Sequence, residues 1–227
     1  NSIENISLDL IFAVPGQTLD AWRQAVLRAI DYRPAHISTY GLTFEKGTSF
    51  WARRERGELQ SANDELERSM YELAMDVLPE HGFEQYELSN FARRGRECRH
   101  NEVYWAGLGY FGFGPGAASY VDGVRRTNHR SVTTWLKRME AGASAVGESE
   151  TLSPEDRARE AIWLGLRRTR GIDRVGFGER FGVDLEVLAG ETIRKQVDGG
   201  LIYAEGDRIR LTREGRLMAD TVAVEFV

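Results

Sequence analysis

The sequence predicts an α/β fold that is followed by a smaller helical module. Strand-like and helix-like segments alternate through residues 5–88, and a repeat of this kind predicts parallel strands joined by right-handed crossovers. From residue 154 onward, helix-like segments precede two short strands, an order that indicates a winged-helix-like module. We therefore expect a first domain at 1–141 and a second at 154–227, joined by a linker of small and acidic residues at 142–153.

The first half is predicted to contain three strands and two helices. The first strand, 5–14, is apolar on one parity and nearly apolar on the other, so we expect both of its faces to be buried. Pro15 and Gly16 end this strand, and Thr18 is a suitable N-cap for the helix that follows. Ser61 is the expected N-cap of the second helix. The remaining elements of this half are strands at 36–44 and 82–88 and a helix over 62–78.

The second half combines an irregular stretch with regular helices. Residues 89–130 are rich in arginine, glycine and aromatic residues and show little periodicity, so no element is predicted there. Ser153 followed by Pro154 is a strong helix start, because proline is favoured in the first helical turn. The expected elements are helices at 131–141, 154–168, 173–181 and 184–198, strands at 201–205 and 208–211, and a last helix from 212.

The composition excludes several classes of protein. The chain has 227 residues, a formal charge of −5 and 41% hydrophobic residues, which is typical of a globular protein. Its only cysteine, Cys98, excludes an intrachain disulfide and a complete cysteine-ligated iron–sulfur cluster within this chain. Residues 154–227 carry 13 basic and 14 acidic side chains, which argues against nucleic-acid binding. No apolar run approaches the ~20 residues of a transmembrane helix, and we expect a cytoplasmic location.

Asp9 is the first candidate binding residue. Its parity places it on the face opposite the most apolar positions of the first strand, where a carboxylate is costly unless it is paired or hydrogen-bonded. It would accept hydrogen bonds from a ligand hydroxyl or amine, or alternatively pair with an arginine. Thr43 and Glu45 follow the second strand at its carboxyl end, where α/β folds gather their ligands.

A basic segment with aromatic residues is the second candidate. It contains four arginines and one histidine within eight residues: Arg93, Arg94, Arg96, Arg99 and His100. Such a cluster suits an anion such as a carboxylate, and an imidazole is a good ligand for iron or zinc. Tyr104 and Trp105 would supply an aromatic wall. The alternative is a solvated basic loop with a hydrogen-bonded histidine and two core aromatic residues.

The glycine-rich segment 107–116 lacks the spacing of a dinucleotide-binding loop. Five glycines in ten residues indicate close backbone approach or positive φ angles. The segment is best interpreted as a tight turn with interleaved aromatic residues.

Several segments resemble the oxygen-independent coproporphyrinogen III oxidase-like family of radical S-adenosylmethionine proteins, and within it the haem-chaperone branch. They are residues 8–11 (LDLI), 15–18 (PGQT), 36–40 (HISTY), 45–48 (EKGT), 86–92 (YELSNFA), 97–105 (ECRHNEVYW) and 112–117 (GFGPGA). The resemblance implies that this chain is the C-terminal part of a partial (β/α) radical-SAM barrel, followed by the winged-helix-like module.

The resemblance also implies roles for single residues. Asp9, Thr43 and Ala118 match positions that line the S-adenosylmethionine pocket of the family. The HNxxYW motif of the haem-chaperone branch is matched by His100, Asn101, Tyr104 and Trp105, with His100 as the axial ligand of the haem iron. We expect the arginines at 93, 94, 96 and 99 to face the haem propionates.

The family's CxxxCxxC motif is absent, because Cys98 is the only cysteine. A sheet of three parallel strands would also leave edges and faces uncovered, so we expect the cluster ligands and further strands to precede Asn1. The chain alone is therefore expected to hold no four-iron four-sulfur cluster and to be inactive as a radical enzyme.

Three functions are open at this point. The chain would be a portion of a haem-chaperone-like protein that binds haem and, when intact, S-adenosylmethionine and a four-iron four-sulfur cluster, with a haem-acceptor protein as its partner. It would alternatively belong to an oxidase that decarboxylates coproporphyrinogen III to protoporphyrinogen IX. The third alternative is a non-catalytic fragment that interacts with other proteins. Whether the parent protein is an enzyme is not decided by these residues.

Overall fold

The structure is a computed structural model that describes residue 3 and residues 5–226. Its contacts divide the chain into two compact units, Asn1–Cys98 and Arg99–Val227. The boundary between these units precedes the HNxxYW motif. The predicted division at 142–153 stays a prediction.

The N-terminal unit combines a four-stranded sheet with three helices. Thr18 caps its first helix as predicted, since its hydroxyl accepts a hydrogen bond from the Ala21 N–H at 3.1 Å. Asn63, and not Ser61, caps the long helix, through a 2.8 Å bond from the Leu66 N–H. The elements are β1 Ser7–Phe12, α1 Leu19–Asp31, β2 His36–Gly41, α2 Ser49–Glu55, α3 Asp64–Glu80, β3 Glu84–Gln85 and β4 Asn90–Ala92.

The strand order is β1-β2-β4-β3, and only part of the expected parallel pairing is observed. Strands β1 and β2 are parallel, with Leu8 opposite Ile37. Strand β4 is antiparallel to both β2 and β3, so β3, which lies within the expected strand 82–88, runs in the direction of β2 but does not pair with it. The expected direct pairing is wrong because β4, joined to β3 by a short turn as antiparallel neighbours can be, occupies the place beside β2.

The two faces of β1 differ strongly. Phe12 is buried, and α1 and α3 pack near this sheet with Trp22, Val26 and Met70 in the core. On the opposite face Ser7, Asp9 and Ile11 are exposed. The expectation that β1 is buried on both faces is therefore wrong for this chain, although Asp9 does lie on the face opposite the apolar parity.

The C-terminal unit contains two antiparallel sheets and seven helices in the described residues. Its elements are α4 Arg99–Trp105, β5 Ala118–Val121, β6 Val124–Asn128, α5 Val132–Glu140, β7 Val146–Thr151, α6 Pro154–Arg167, β8 Ile172–Asp173, α7 Arg174–Phe181, α8 Leu185–Asp198, β9 Ile202–Glu205, β10 Arg208–Leu211, α9 Arg213–Leu217 and α10 Ala219–Val224.

The sheet β5-β6-β7 was not expected from the sequence. A two-residue turn joins β5 to β6, and both of its residues have positive φ, 52° at Asp122 and 79° at Gly123. An Asp-Gly pair is the preferred sequence for such a hairpin turn, so the signal was present. Strand β7 occupies 146–151, so six residues of the expected linker are an ordered strand paired with β6.

The last third follows the prediction closely. Helix α6 begins with a capping box in which Ser153 and Asp156 bond each other's backbone N–H, with Pro154 in the first turn. Strands β9 and β10 form the expected ribbon, and β8 adds a third strand in the order β8-β10-β9. None of the helices in the described part of the chain has the length and hydropathy to span a bilayer.

Candidate haem site and its surroundings

Helix α4 presents His100 and Tyr104 on one face. They are four residues apart, which places them one turn from each other on the helix surface. The Tyr104 hydroxyl lies 3.1 Å from His100 Nε2, and the two rings meet edge to face with centroids 5.0 Å apart. His100 is exposed and Tyr104 is half-buried. The hydrogen bond therefore orients an imidazole that is accessible to solvent.

Salt bridges hold this short helix in place within its unit. Glu102 accepts hydrogen bonds from Arg168 at 2.5 Å and from Arg170 at 2.9 Å. Arg168 is the better buried of the two arginines, with 12% of its side chain exposed against 61% for Arg170. Because exposed ion pairs contribute little, the Arg168 bond contributes most of this attachment.

The other two motif residues are half-buried. Trp105 packs beneath Arg167, whose guanidinium carbon lies 4.3 Å from the ring centroid. The Trp105 Nε1 is buried and has no hydrogen-bond partner in the part of the chain that the structure describes. Asn101 follows His100 directly on α4. Trp105 therefore contributes packing.

Three tyrosines continue from α4 into the β5–β6 sheet. The Tyr104 and Tyr110 rings lie 4.6 Å apart, and those of Tyr110 and Tyr120 lie 6.3 Å apart. The backbones of Tyr110 and Tyr120 exchange hydrogen bonds of 2.8 and 2.9 Å. Burial raises the pKa of Tyr110, and the nearby Arg125 opposes this. Beside these rings lies a cavity of about 100 Å³.

The glycine-rich segment contributes a close backbone approach. A Cβ placed on Gly112 would lie 2.1 Å from the Ala118 carbonyl oxygen, so no larger residue fits there without displacement of the backbone. The Gly112 N–H donates to the Ser119 hydroxyl at 2.9 Å. A hydrogen bond and a close backbone approach thus hold this segment against the start of β5, where Ala118 is half-buried.

The N-terminal unit carries a separate polar cluster on its sheet. His36 is buried, with Nδ1 2.9 Å from the Ser7 hydroxyl and Nε2 2.9 Å from the Tyr86 hydroxyl. Burial lowers the pKa of His36, and the negative charge of Asp9 opposes this by raising it. The fully buried Glu87 accepts a 2.8 Å bond from the Ser89 N–H and a second bond from the Asn90 amide.

The residues expected to contact S-adenosylmethionine lie in different units. Asp9 is exposed on β1, and Thr43 is exposed just beyond the end of β2, both in the N-terminal unit. Ala118 begins β5 in the C-terminal unit.

The four arginines that were expected to face the haem propionates differ in their contacts and exposure. Arg93 donates to the Pro34 carbonyl at 3.2 Å and stacks over the Phe83 ring at 4.5 Å, so it is already engaged in packing. Arg94, Arg96 and Arg99 are exposed.

Sequence reasoning missed several residues that surround the motif. Arg157 and Arg180 line the cavity, and Glu102 anchors α4 through two arginines, but the residues that surround these side chains are distant in sequence and no local pattern indicates them. Within the described residues, no group of three or more His, Cys, Asp or Glu side chains could hold a metal ion.

Comparisons with known proteins agree with this architecture. Residues 152–218 match the model of the HemN C-terminal domain. The chain is 35% identical to the haem chaperone HemW of Bacillus subtilis and 34% identical to that of Lactococcus lactis, each over 99% of this chain and 59% of the relative. It is 33% identical to the mitochondrial radical S-adenosyl methionine domain-containing protein 1 of Danio rerio, over 96% of this chain and 51% of that protein.

The chain thus spans about three-fifths of the first two relatives. In structure it matches coproporphyrinogen III oxidase (HemN) from Escherichia coli, a radical SAM enzyme, with a TM-score of 0.78 over 97% of this chain and 54% of that one, at 16% identity. This match confirms the predicted fold class, an α/β part of a radical SAM fold with a helical C-terminal module. The chain is therefore similar to HemN- and HemW-like radical S-adenosylmethionine proteins, in agreement with the resemblance found in its sequence, and residues 152–218 match the HemN C-terminal domain.

Proposed function

We propose that this chain is the haem-binding portion of a haem-chaperone-like protein and that His100 is the axial ligand of the haem iron. The observation that carries the proposal is the exposed imidazole of His100, held through Nε2 by the Tyr104 hydroxyl. In the tautomer that donates from Nε2 to Tyr104, the Nδ1 lone pair is free to bind iron. Metal-bound histidines are commonly oriented by such a bond to the second ring nitrogen.

The names of the relatives support haem chaperoning over decarboxylation of coproporphyrinogen. Two relatives that match 99% of this chain are haem chaperones, whereas the similarity to the oxidase is one of fold at 16% identity. The proposal includes a haem-acceptor protein as partner and a cytoplasmic location.

S-Adenosylmethionine and a four-iron four-sulfur cluster enter the proposal only for the intact protein. One cysteine cannot supply the ligands of such a cluster, so the residues of this chain do not fit it. For S-adenosylmethionine we propose contacts from Asp9, Thr43 and Ala118. The support is chemical: the exposed Asp9 carboxylate and Thr43 hydroxyl are acceptors for hydroxyl and amino groups.

Titration of the chain with haem tests the ligand assignment. We expect a Soret band typical of histidine-ligated iron, and we expect His100→Ala to change that band and to weaken binding at least about tenfold, because even residues behind a metal ligand change affinity by that factor. His81→Ala is the matched control, since His81 is also exposed and belongs to the end of α3. Identical spectra and affinities for His100→Ala and the wild type would refute the assignment.

A further inference from the structure

We propose that the cavity beside the three tyrosines of the C-terminal unit is a carboxylate-binding site, and that its ligand is a propionate group of the tetrapyrrole. This inference rests on the proposed function. The cavity lies between α4, the β5–β6 sheet, α6 and α7. The lining residues on which the argument depends are Tyr104, Tyr110, Arg125, Arg157, Glu160 and Arg180.

The charge of the cavity is positive. Three arginines line it against one acid, Glu160. Arg125 is already neutralised, because it donates to Glu160 at 2.5 Å and to Glu150 at 3.3 Å. Two positive charges, Arg157 and Arg180, therefore lie in the cavity wall without an acidic partner among its lining residues.

These two arginines play different parts. Arg180 donates to the backbone carbonyls of Ala106, at 2.6 Å, and Gly107, which fixes its guanidinium beside the end of α4. Arg157 takes part in none of the ion pairs found among the described residues. Its Nε is buried and has no hydrogen-bond partner there. A buried donor without a partner is costly, so Arg157 is the group that a bound anion would satisfy.

Arg157 is held toward the cavity by the β5–β6 turn. A Cβ placed on Gly123 would lie 3.2 Å from the Arg157 Cδ and 3.3 Å from its Nε, so the turn packs tightly against the arginine stem. Burial lowers the pKa of Arg180; Tyr120 opposes this, and the charge of Arg157 adds to the lowering. An anion between these two guanidinium groups would reduce the repulsion between them. It would also offset the cost of burying the Arg180 charge.

The size of the cavity selects the kind of ligand. Its volume is about 100 Å³, whereas pockets for whole drug-sized ligands measure roughly 300–1,000 Å³. A macrocycle does not fit, but a carboxylate group does. The wall is otherwise aromatic and aliphatic, and water exclusion by such a wall strengthens a charge-assisted hydrogen bond.

Tyr104 links the cavity to the proposed iron ligand. Its ring lines the cavity, while its hydroxyl bonds His100 Nε2. One helical turn, about 5.4 Å along the axis, separates the two residues. A single molecule with a metal centre and a flexible carboxylate arm would engage both, which is the chemistry of an iron porphyrin with propionate side chains.

The test compares haem with iron protoporphyrin dimethyl ester, in which both carboxylates are blocked. We expect the wild-type chain of 227 residues to bind haem about tenfold more tightly than the ester, the factor given by one charge-assisted hydrogen bond. Arg157→Met should reduce this preference to about twofold or less and leave the Soret maximum of the haem complex unchanged. Arg126→Met is the matched control, since Arg126 is exposed on β6 beside Arg125.

A second variant protects the test against misfolding of Arg157→Met. Ala161→Glu places a carboxylate among the lining residues and should remove the preference by occupying the arginines. Haem and ester bound equally by the wild type, or a preference retained in both variants, would overturn the carboxylate site and leave His100 as the ligand. A chain that binds neither compound would overturn the proposed function and this inference together.

Discussion

The two histidines His36 and His100 differ in their exposure and in the number of their hydrogen-bond partners. These differences suit His36 to a structural role and His100 to the binding of a ligand. His36 is 6% exposed and both of its ring nitrogens have hydroxyl partners, at 2.9 Å each. His100 is exposed and has one such partner, at 3.1 Å. A histidine whose two nitrogens are both satisfied stabilises the neutral ring within the fold. A histidine with one oriented and one free nitrogen is suited to binding.

Two acids show the same contrast. Glu87 is 0% exposed, and its carboxylate accepts from Ser89 and Asn90, which close the turn between β3 and β4. Glu102 keeps 25% of its side chain exposed and bonds two arginines from other elements. The first acid organises its own turn, whereas the second fixes the helix that carries the candidate ligand.

Removal of Glu87 should have the largest effect on stability. We expect Glu87→Ala to lower the free energy of unfolding by about 3–5 kcal/mol, because it leaves a buried cavity and buried donors without an acceptor. Urea unfolding followed by circular dichroism measures the change. Glu87→Gln keeps an acceptor oxygen and should lose less than half as much. A loss below about 1 kcal/mol for Glu87→Ala would show that the turn does not depend on this carboxylate.

Removal of Glu102 should lower the free energy of unfolding less than removal of Glu87 does, but it should also weaken haem binding. We expect Glu102→Ala to cost about 1–3 kcal/mol, since Arg168 is left half-buried without its acid. Helix α4 then loses its two ion pairs to Arg168 and Arg170, so haem affinity should fall as well. Arg170→Ala is the control, because 61% of that side chain is exposed and its pair contributes little. Equal losses for Glu102→Ala and Arg170→Ala would contradict the role assigned to Arg168.

The sequence predicted features that depend on residues close together in the chain. The capping box of α6 follows from Ser153 and Asp156. The contact between His100 and Tyr104 was not predicted, because no helix was expected within 89–130. Strand β4 could not be placed in the same way, because its direction depends on a turn held by the buried Glu87. The approach of Arg157 to the cavity depends on the β5–β6 turn and on α6, which are distant in sequence.

The exposed face of β1 was also missed for a physical reason. Alternation of residue types shows which side chains share a face, but it does not show whether anything covers that face. Asp9 and Ile11 share a face as the parity indicates, and both are exposed. Burial of a sheet face is a property of what packs on it, so it was beyond what the pattern could predict.

The smallest expected effect is a pH dependence of stability that comes from the buried His36. Because the pKa of His36 is lowered in the folded state, the unfolded chain binds a proton on this residue at a higher pH than the folded chain does. Its contribution to stability is therefore fully present above the unfolded value, about 6.5, and is lost as the pH falls through that value toward the folded pKa. We expect the urea midpoint to decrease between pH 7.5 and pH 5.5, and His36→Gln to reduce this decrease. If His36→Gln retained the full decrease, the pH dependence of stability would not come from His36, and its assignment as a buried neutral ring would be contradicted.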